Sequence, residues 1–344
     1  MNRMNDQWTV AEHPETALEP RHFARRQAPV PALEDGEFLI ESHALNIAPV
    51  MRMYMMGGSA AGEAPLGIGD VIHGRGVGQV IESRHPAYPV GAYLQGQLGW
   101  QRYKVSRGTT AEKLRLLKPN GLPITYALSA LGMTGYSAWC GFFSRGEPRA
   151  GEALLVSGAV GGVGSLVVQM ARLLGMAPII GIAGGAQKCA LAVELGCDAA
   201  IDYKQDNIGE RLHALLPNGF DLHFDNVGGE ILNISLEHLA PRARVVLCGA
   251  ISEYQKAERQ GPSNYFLLSN ANADFRGFFV YNHVDEFDQA ETEMAQWLRA
   301  GKLQVLTDTL EGFDQMPAAL MGMYTGTGGG KRLVTVKEGP VAVY

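Results

Sequence analysis

From the N-terminus to about Lys118 the chain alternates short apolar runs with polar, Pro- and Gly-punctuated breaks. Phe38–Leu45 (FLIESHAL) and Gly76–Ser83 (GVGQVIES) alternate or run apolar, as strands half or wholly buried in a sheet do. This part predicts a β-rich domain. From about Pro123 the period lengthens. Ala127–Cys140 reads as a helix interrupted at Gly132-Met133-Thr134-Gly135. Strand and helix patterns then alternate. Ala177–Ile182, Ala199–Asp202, Asp221–Asp225 and Ala243–Cys248 are expected strands, and Phe275–Tyr281 (FRGFFVY) a last one. Ala186–Leu195 is an expected helix stopped by Gly196, which can take the left-handed cap conformation. Glu286–Ala300 is an expected helix ended by Gly301, and Lys331–Lys337 (KRLVTVK) a strand returning to the N-terminal domain. Right-handed crossovers make such a series an open, doubly wound parallel sheet, so the fold class is α/β with a second, β-rich domain.

One stretch carries chemistry. Leu154–Gly175 reads LLVSGAVGGVGSLVVQMARLLG. An apolar run suited to a buried strand meets a turn holding Gly158, Gly161, Gly162 and Gly164. Leu166, Val167, Met170, Leu173 and Leu174 then recur at helical spacing. Strand, glycine turn and helix in that order bind a dinucleotide. Glycines let the backbone approach a pyrophosphate, and the helix N-terminus offers N–H groups and a positive dipole end. The spacing is G-x-x-G-x-x-G rather than G-x-G-x-x-G, so the flanking strand and helix carry the reading. Gln169 and Arg172, with glycines at the centre, rule the stretch out as a membrane span.

Composition narrows the function classes. With 344 residues, 46% hydrophobic and 19% charged, the chain can form about two domains with sizeable cores. A net charge of −6 without a basic block speaks against nucleic acid as a partner. The polar start MNRMNDQWTV has no apolar core of a signal peptide. Cys140, Cys189, Cys197 and Cys248 are few, scattered and free of C-x-x-C spacing, which fits a reduced, cytoplasmic setting without a structural zinc site.

Six words in chain order resemble one family: GRGVGQVIES (Gly74–Ser83), GMTGYSAW (Gly132–Trp139), GAVGGVGS (Gly158–Ser165), FDNVGGEIL (Phe224–Leu232), LCGAIS (Leu247–Ser252) and GFFVY (Gly277–Tyr281). The tail Met316–Lys331 matches as well. The chain resembles the medium-chain dehydrogenase/reductase superfamily, and within it the zinc-independent leukotriene B4 dehydrogenase, prostaglandin reductase and curcumin reductase group. The resemblance implies a GroES-like catalytic domain (1–122 and 305–344) and a Rossmann domain (123–304). It also implies NADPH as hydride donor, a small enone or enal as substrate, and a homodimer.

Carried over residue by residue, the resemblance makes Gly161, Gly162, Val163 and Gly164 the pyrophosphate turn. It puts Lys188 and Tyr203 on the 2′-phosphate. Asn226 and the run Cys248, Gly249, Ala250, Ile251, Ser252, with Tyr254, would line ribose and nicotinamide. Phe278, Phe279 and Val280 would sit by the nicotinamide ring, with Met133 and Thr134 facing it from the other domain. Charge agrees on the cofactor: the second βα strand runs into Ala183-Gly184-Gly185, without the acid that binds an NAD ribose. Hydride addition to the β-carbon of an enone leaves negative charge on its carbonyl oxygen, which needs a donor. Tyr265 (in SNYFLL) is the first candidate for that catalytic role and Tyr54 the second.

Departures are equally specific. Zinc alcohol dehydrogenases carry G-H-E before this G-x-G. Here Gly74 and Arg75 occupy the His and Glu positions and His73 is out of register. The other histidines show no ligand spacing, so no metal is expected. The family's D-P-Y-M-R stands as Ala48-Pro49-Val50-Met51-Arg52, and its G-x-N-x-G-K as Gly326-Thr327-Gly328-Gly329-Gly330-Lys331. The loops Met53–Glu63 and Ile251–Gly261 are expected to set substrate preference. Quinone reduction, or nucleotide binding without catalysis as in some lens crystallins, remain open alternatives.

Overall fold

The computed structural model describes residues 3–57, 63–254, 256, 258, 260–325 and 328–344. It divides into two compact units, Met1–Leu128 with Thr307–Tyr344, and Ser129–Leu306.

The first unit is built on a seven-stranded sheet. Phe38–Asn46 pairs antiparallel with Arg75–Ser83, and that strand with Tyr93–Gln97. On the other side Phe38–Asn46 takes the C-terminal strand Lys331–Thr335, with Leu333 opposite Asn46. The expected return of the tail is therefore observed. Phe38, Ile40, Leu45, Ile72, Leu98 and Trp100 fill the core beneath it. The G-x-G word belongs to this packing. A Cβ at Gly78 would lie 2.4 Å from the Glu41 carbonyl oxygen, and one at Gly74 2.6 Å from the Trp100 ring.

The second unit is a six-stranded sheet. We label its strands β1 (Leu154–Ser157), β2 (Ile179–Ala183), β3 (Ala199–Asp202), β4 (Phe220–Asp225), β5 (Leu239–Leu247) and β6 (Asp274–Gly277). Their order is β3-β2-β1-β4-β5-β6, and every pairing is parallel. Strand order reverses between β1 and β4, and a doubly wound sheet receives its ligand at the carboxyl ends of such a switch point. β1 and β2 are buried throughout, so they read as continuous apolar runs.

Two elements differ from expectation. The last strand stops at Gly277 instead of reaching Tyr281, because its partner β5 ends at Leu247, opposite Gly277. Phe278 and Phe279 leave the sheet, and Val280–Glu286 winds into a 3-10 segment. The predicted interrupted helix is three pieces: a 3-10 turn Ile124–Leu128, an α-helix Met133–Trp139 and a π-helical turn Cys140–Arg145. Gly135 makes the middle piece possible, since a Cβ there would lie 1.7 Å from the Ala130 carbonyl oxygen. Among the described residues no helix is long and apolar enough to cross a membrane.

Candidate functional site

The glycine turn opens directly from β1. Gly158 takes φ +61°, and Gly161 N–H donates to its carbonyl oxygen at 2.9 Å. The helix Gly164–Leu174 starts so close that a Cβ on Gly164 would sit 2.3 Å from the same oxygen. At Gly161 that distance is 3.2 Å. The two glycines thus do different work. Gly164 permits the helix to pack on the turn, whereas a side chain at Gly161 would press on that oxygen far less severely. No acceptor among the described residues takes the N–H of Gly162, Val163 or Gly164. Three consecutive orphan donors at the carboxyl end of a switch-point strand fit a pyrophosphate.

Beside the turn, the ends of β1 and β4 are locked together. Asp225, fully buried, accepts hydrogen bonds from the Ser157 hydroxyl at 2.6 Å and from the Val227 and Gly228 N–H groups at 3.1 and 3.0 Å. Ser157 Oγ in turn accepts from Asn226 N–H, and Asn226 Nδ2 donates to the Ser157 carbonyl, both at 2.8 Å. His223, behind this cluster, is held below its ordinary pKa by burial. Its neutral ring meets the Leu155 carbonyl through Nδ1 at 3.1 Å. Sequence reading selected Asn226 and missed Ser157 and Asp225. The signal was present: a Ser ends β1 and an Asp ends β4, each closing a short, fully or mostly buried run at the carboxyl edge of the sheet.

The loop after β5 rests on this platform. Cys248 and Gly249 donate their N–H groups to the Asp225 carbonyl, and Ser252 Oγ donates to the Val227 carbonyl at 2.7 Å. Tyr254 Oη accepts from Ala250 N–H at 3.2 Å. The structure therefore gathers Asn226, Cys248, Gly249, Ala250, Ile251, Ser252 and Tyr254 at one sheet edge. Burial and the Asp225 carboxylate push the Cys248 thiol up to about 12, so it stays protonated. Part of the loop Ile251–Gly261 and of the loop Met53–Glu63, and Gly326 and Thr327 of the tail word, lie outside the described residues.

Lys188 and Tyr203 flank one turn. Lys188 N–H bonds the Gly185 carbonyl at 3.0 Å, and a Cβ at Gly184 would lie 2.7 Å from the Tyr203 ring. Tyr203 is 46% exposed, open to a ligand. Asp202, also missed, stands at the end of β3 with its carboxylate receiving the N–H groups of Gly185 and Lys204 at 2.8 and 3.0 Å. It shapes the turn from below.

Other expected residues separate. Met133 and Thr134 begin a helix of the second unit and do not come from the other unit. The Tyr136 hydroxyl fastens that helix, donating between the Leu131 carbonyl and the Glu291 carboxylate. Phe278 packs inward, its ring 2.7 Å from where a Gly141 Cβ would be, whereas Phe279 is exposed. Val280 starts the 3-10 segment. Tyr265 is 65% exposed. Tyr54 is 8% exposed in the first unit, its ring edge-on to His73 at 5.6 Å. His73 Nε2 meets the Ala64 carbonyl at 3.0 Å, and Trp100 fills the space beside Gly74 where a ligand imidazole would stand. Arg52 is buried and bonds the Glu15 and Thr16 carbonyls, so its part of the altered family word braces the N-terminal segment. The expectation of dispersed histidines needs one correction: the fold brings His283 to Cys140 and Glu286. Spacing hid this because Cys140 lies far away in sequence.

Comparison with known proteins agrees with this architecture. Residues 6–114 match the N-terminal domain of oxidoreductase, and residues 162–297 match the family described as zinc-binding dehydrogenase. Prostaglandin reductase 1 of Mus musculus is 35% identical over 331 residues, covering 95% of this chain and 98% of that one. The NADPH-dependent curcumin reductase of Escherichia coli K12 is 33% identical over 342 residues, 96% and 97% of the two chains. The crystal structure of CurA from Vibrio vulnificus in complex with NADPH superposes with a TM-score of 0.89 at 32% identity, covering 97% of this chain and 100% of that one. Glycine turn, switch point and these likenesses together make the chain a member of the medium-chain dehydrogenase/reductase superfamily, in the group of the prostaglandin and curcumin reductases.

Proposed function

We propose that this protein is an NADPH-dependent reductase of the C=C bond in α,β-unsaturated ketones and aldehydes, acting without zinc. The observation that carries the reading is the set of orphan N–H groups at Gly162, Val163 and Gly164 beside the Ser157–Asp225–Asn226 cluster. The names of the prostaglandin and curcumin reductases support the substrate class. When bound, NADPH supplies a hydride to the β-carbon of the enone. The chain's residues bind and orient. Backbone N–H groups of the turn hold the pyrophosphate, and Lys188 with Tyr203 holds the 2′-phosphate as point charge and hydroxyl donor. Asn226, the loop 248–254 and residues 278–280 line ribose and nicotinamide, with Met133 and Thr134 beside them. Tyr265 donates to the carbonyl oxygen as negative charge develops there, with Tyr54 the second candidate. The glycine at position 74, packed on Trp100, supports zinc-free chemistry.

The same reading gives a cytoplasmic homodimer, a compartment consistent with four free cysteines. Among the described residues no strand pairs with the outer side of β6, and Tyr265, Phe266, Phe279 and Val284 expose apolar surface on the segments around it. Light scattering at the mass of one chain would refute the dimer. For the reaction itself, NADPH absorbance is followed across a panel of enones, enals and 1,4-benzoquinone. Turnover of enones and enals supports the proposal. Turnover of the quinone alone, or binding without turnover, replaces it with one of the two alternatives.

A further inference from the structure

Cys140, His283 and Glu286 each bring one ligand-type atom within 4.8 Å of the other two. They come from two elements. Cys140 starts the π-helical turn Cys140–Arg145, and such turns recur at functional sites. His283 breaks the 3-10 segment Val280–Glu286 with φ −122° and ψ 26°, and Glu286 ends it. His283 Nδ1 lies 2.7 Å from Glu286 Oε1, and the Ser144 hydroxyl donates to Glu286 Oε2. Cys140 is fully buried, while His283 and Glu286 sit nearer the surface, so the cluster has an inner sulfur and an outer rim. The Phe278 ring stands edge-on to His283 at 6.1 Å, an apolar wall on one side.

We propose that Cys140, His283 and Glu286 form a binding site for one zinc-class divalent ion, with water as fourth ligand. The donor set decides the class. Thiolate and imidazole select a borderline-soft ion, and the carboxylate makes the protein donors net dianionic against a dication. Three protein ligands with one open position give tetrahedral coordination. The thiol, pushed up to about 12 by burial and by Glu286 and Asp285, is protonated in the metal-free protein. Binding therefore exchanges that proton for the metal–sulfur bond, with no change of oxidation state. The ion ties the turn Cys140–Arg145 to the segment that follows Phe278 and Phe279. Its role is to fasten this segment, and the hydride chemistry proposed above does not pass through it.

The test uses the reduced full-length protein, stripped with a chelator and titrated with Co(II) and then Zn(II). The site predicts one equivalent of Co(II) with a thiolate-to-metal charge-transfer band, displaced by Zn(II). Loss of an outer-shell partner already costs about 10–100-fold in metal affinity. Cys140→Ser is therefore expected to abolish the band and weaken Zn(II) binding at least ~100-fold, with Glu286→Gln and His283→Gln also weakening it. NADPH binding serves as the fold control and is retained in these variants. A wild-type protein that binds no stoichiometric Co(II), or gives no charge-transfer band, overturns the site without any variant. So does a band that persists in folded Cys140→Ser. Failure of enone turnover leaves this result untouched, so the two proposals stand or fall separately.

Discussion

At the residue scale the structure separates side chains that touch the same loop. Gly164 faces a carbonyl oxygen at 2.3 Å from its would-be Cβ, against 3.2 Å for Gly161. Gly164→Ala is therefore expected to cost about 1–3 kcal/mol or more in stability through overpacking, and to lose NADPH binding. Gly161→Ala should stay folded, and calorimetry on both variants checks the order. Lys188→Ala should weaken NADPH about ten- to hundredfold while leaving NADH nearly unchanged, the cost of one charge-assisted contact. Equal losses for both cofactors would move the phosphate site elsewhere. Tyr265→Phe should lower kcat on enones about tenfold at unchanged NADPH affinity, less than the ~10²–10³ of a fully enclosed oxyanion donor, because this tyrosine is so exposed. An unaltered kcat would reduce Tyr265 to a surface or interface residue.

At the scale of elements, legibility in the sequence depended on how sharply each run is bounded. β1 and β3 were readable to the residue because short apolar runs bounded by glycine or turn residues have few alternatives. The end of β6 was not readable. FRGFFVY has strand composition throughout, and only the length of its neighbour β5 decides where pairing stops. The Ser157–Asp225 bond was equally hidden, since it joins residues 68 apart whose meeting depends on strand order. The family words supplied Asn226 and the loop after β5 because those residues travel in a contiguous string. Strand Phe38–Asn46 adds a pH signature that no word displays. His43 is lowered from 6.5 to about 4, by burial first and by Lys337, with Glu41 opposing and the Tyr93 ring edge-on. The Lys337 ammonium donates to His43 Nε2 at 3.1 Å, which requires a neutral ring. Between these two values the folded state binds fewer protons than the unfolded one, so stability falls as pH falls through that window. Urea unfolding from pH 7 to 4 should show the slope, and His43→Gln should flatten it.

At the scale of the whole molecule, a β-rich unit built from both chain ends accompanies a six-stranded nucleotide-type unit. Dialysis against a strong chelator is expected to leave enone turnover intact, because the position where related dehydrogenases keep a histidine is a glycine packed on Trp100. The Cys140 site is no exception: losing its ion loosens a segment and removes no reacting group. The central claim is that hydride reaches the β-carbon of a conjugated enone. The most direct measurement is a turnover with NADPH deuterated at the transferable position of the nicotinamide, with the product read by NMR. The account predicts a saturated ketone or aldehyde carrying deuterium on the β-carbon and a solvent proton on the α-carbon. Deuterium on the carbonyl carbon, giving an allylic alcohol, would contradict it.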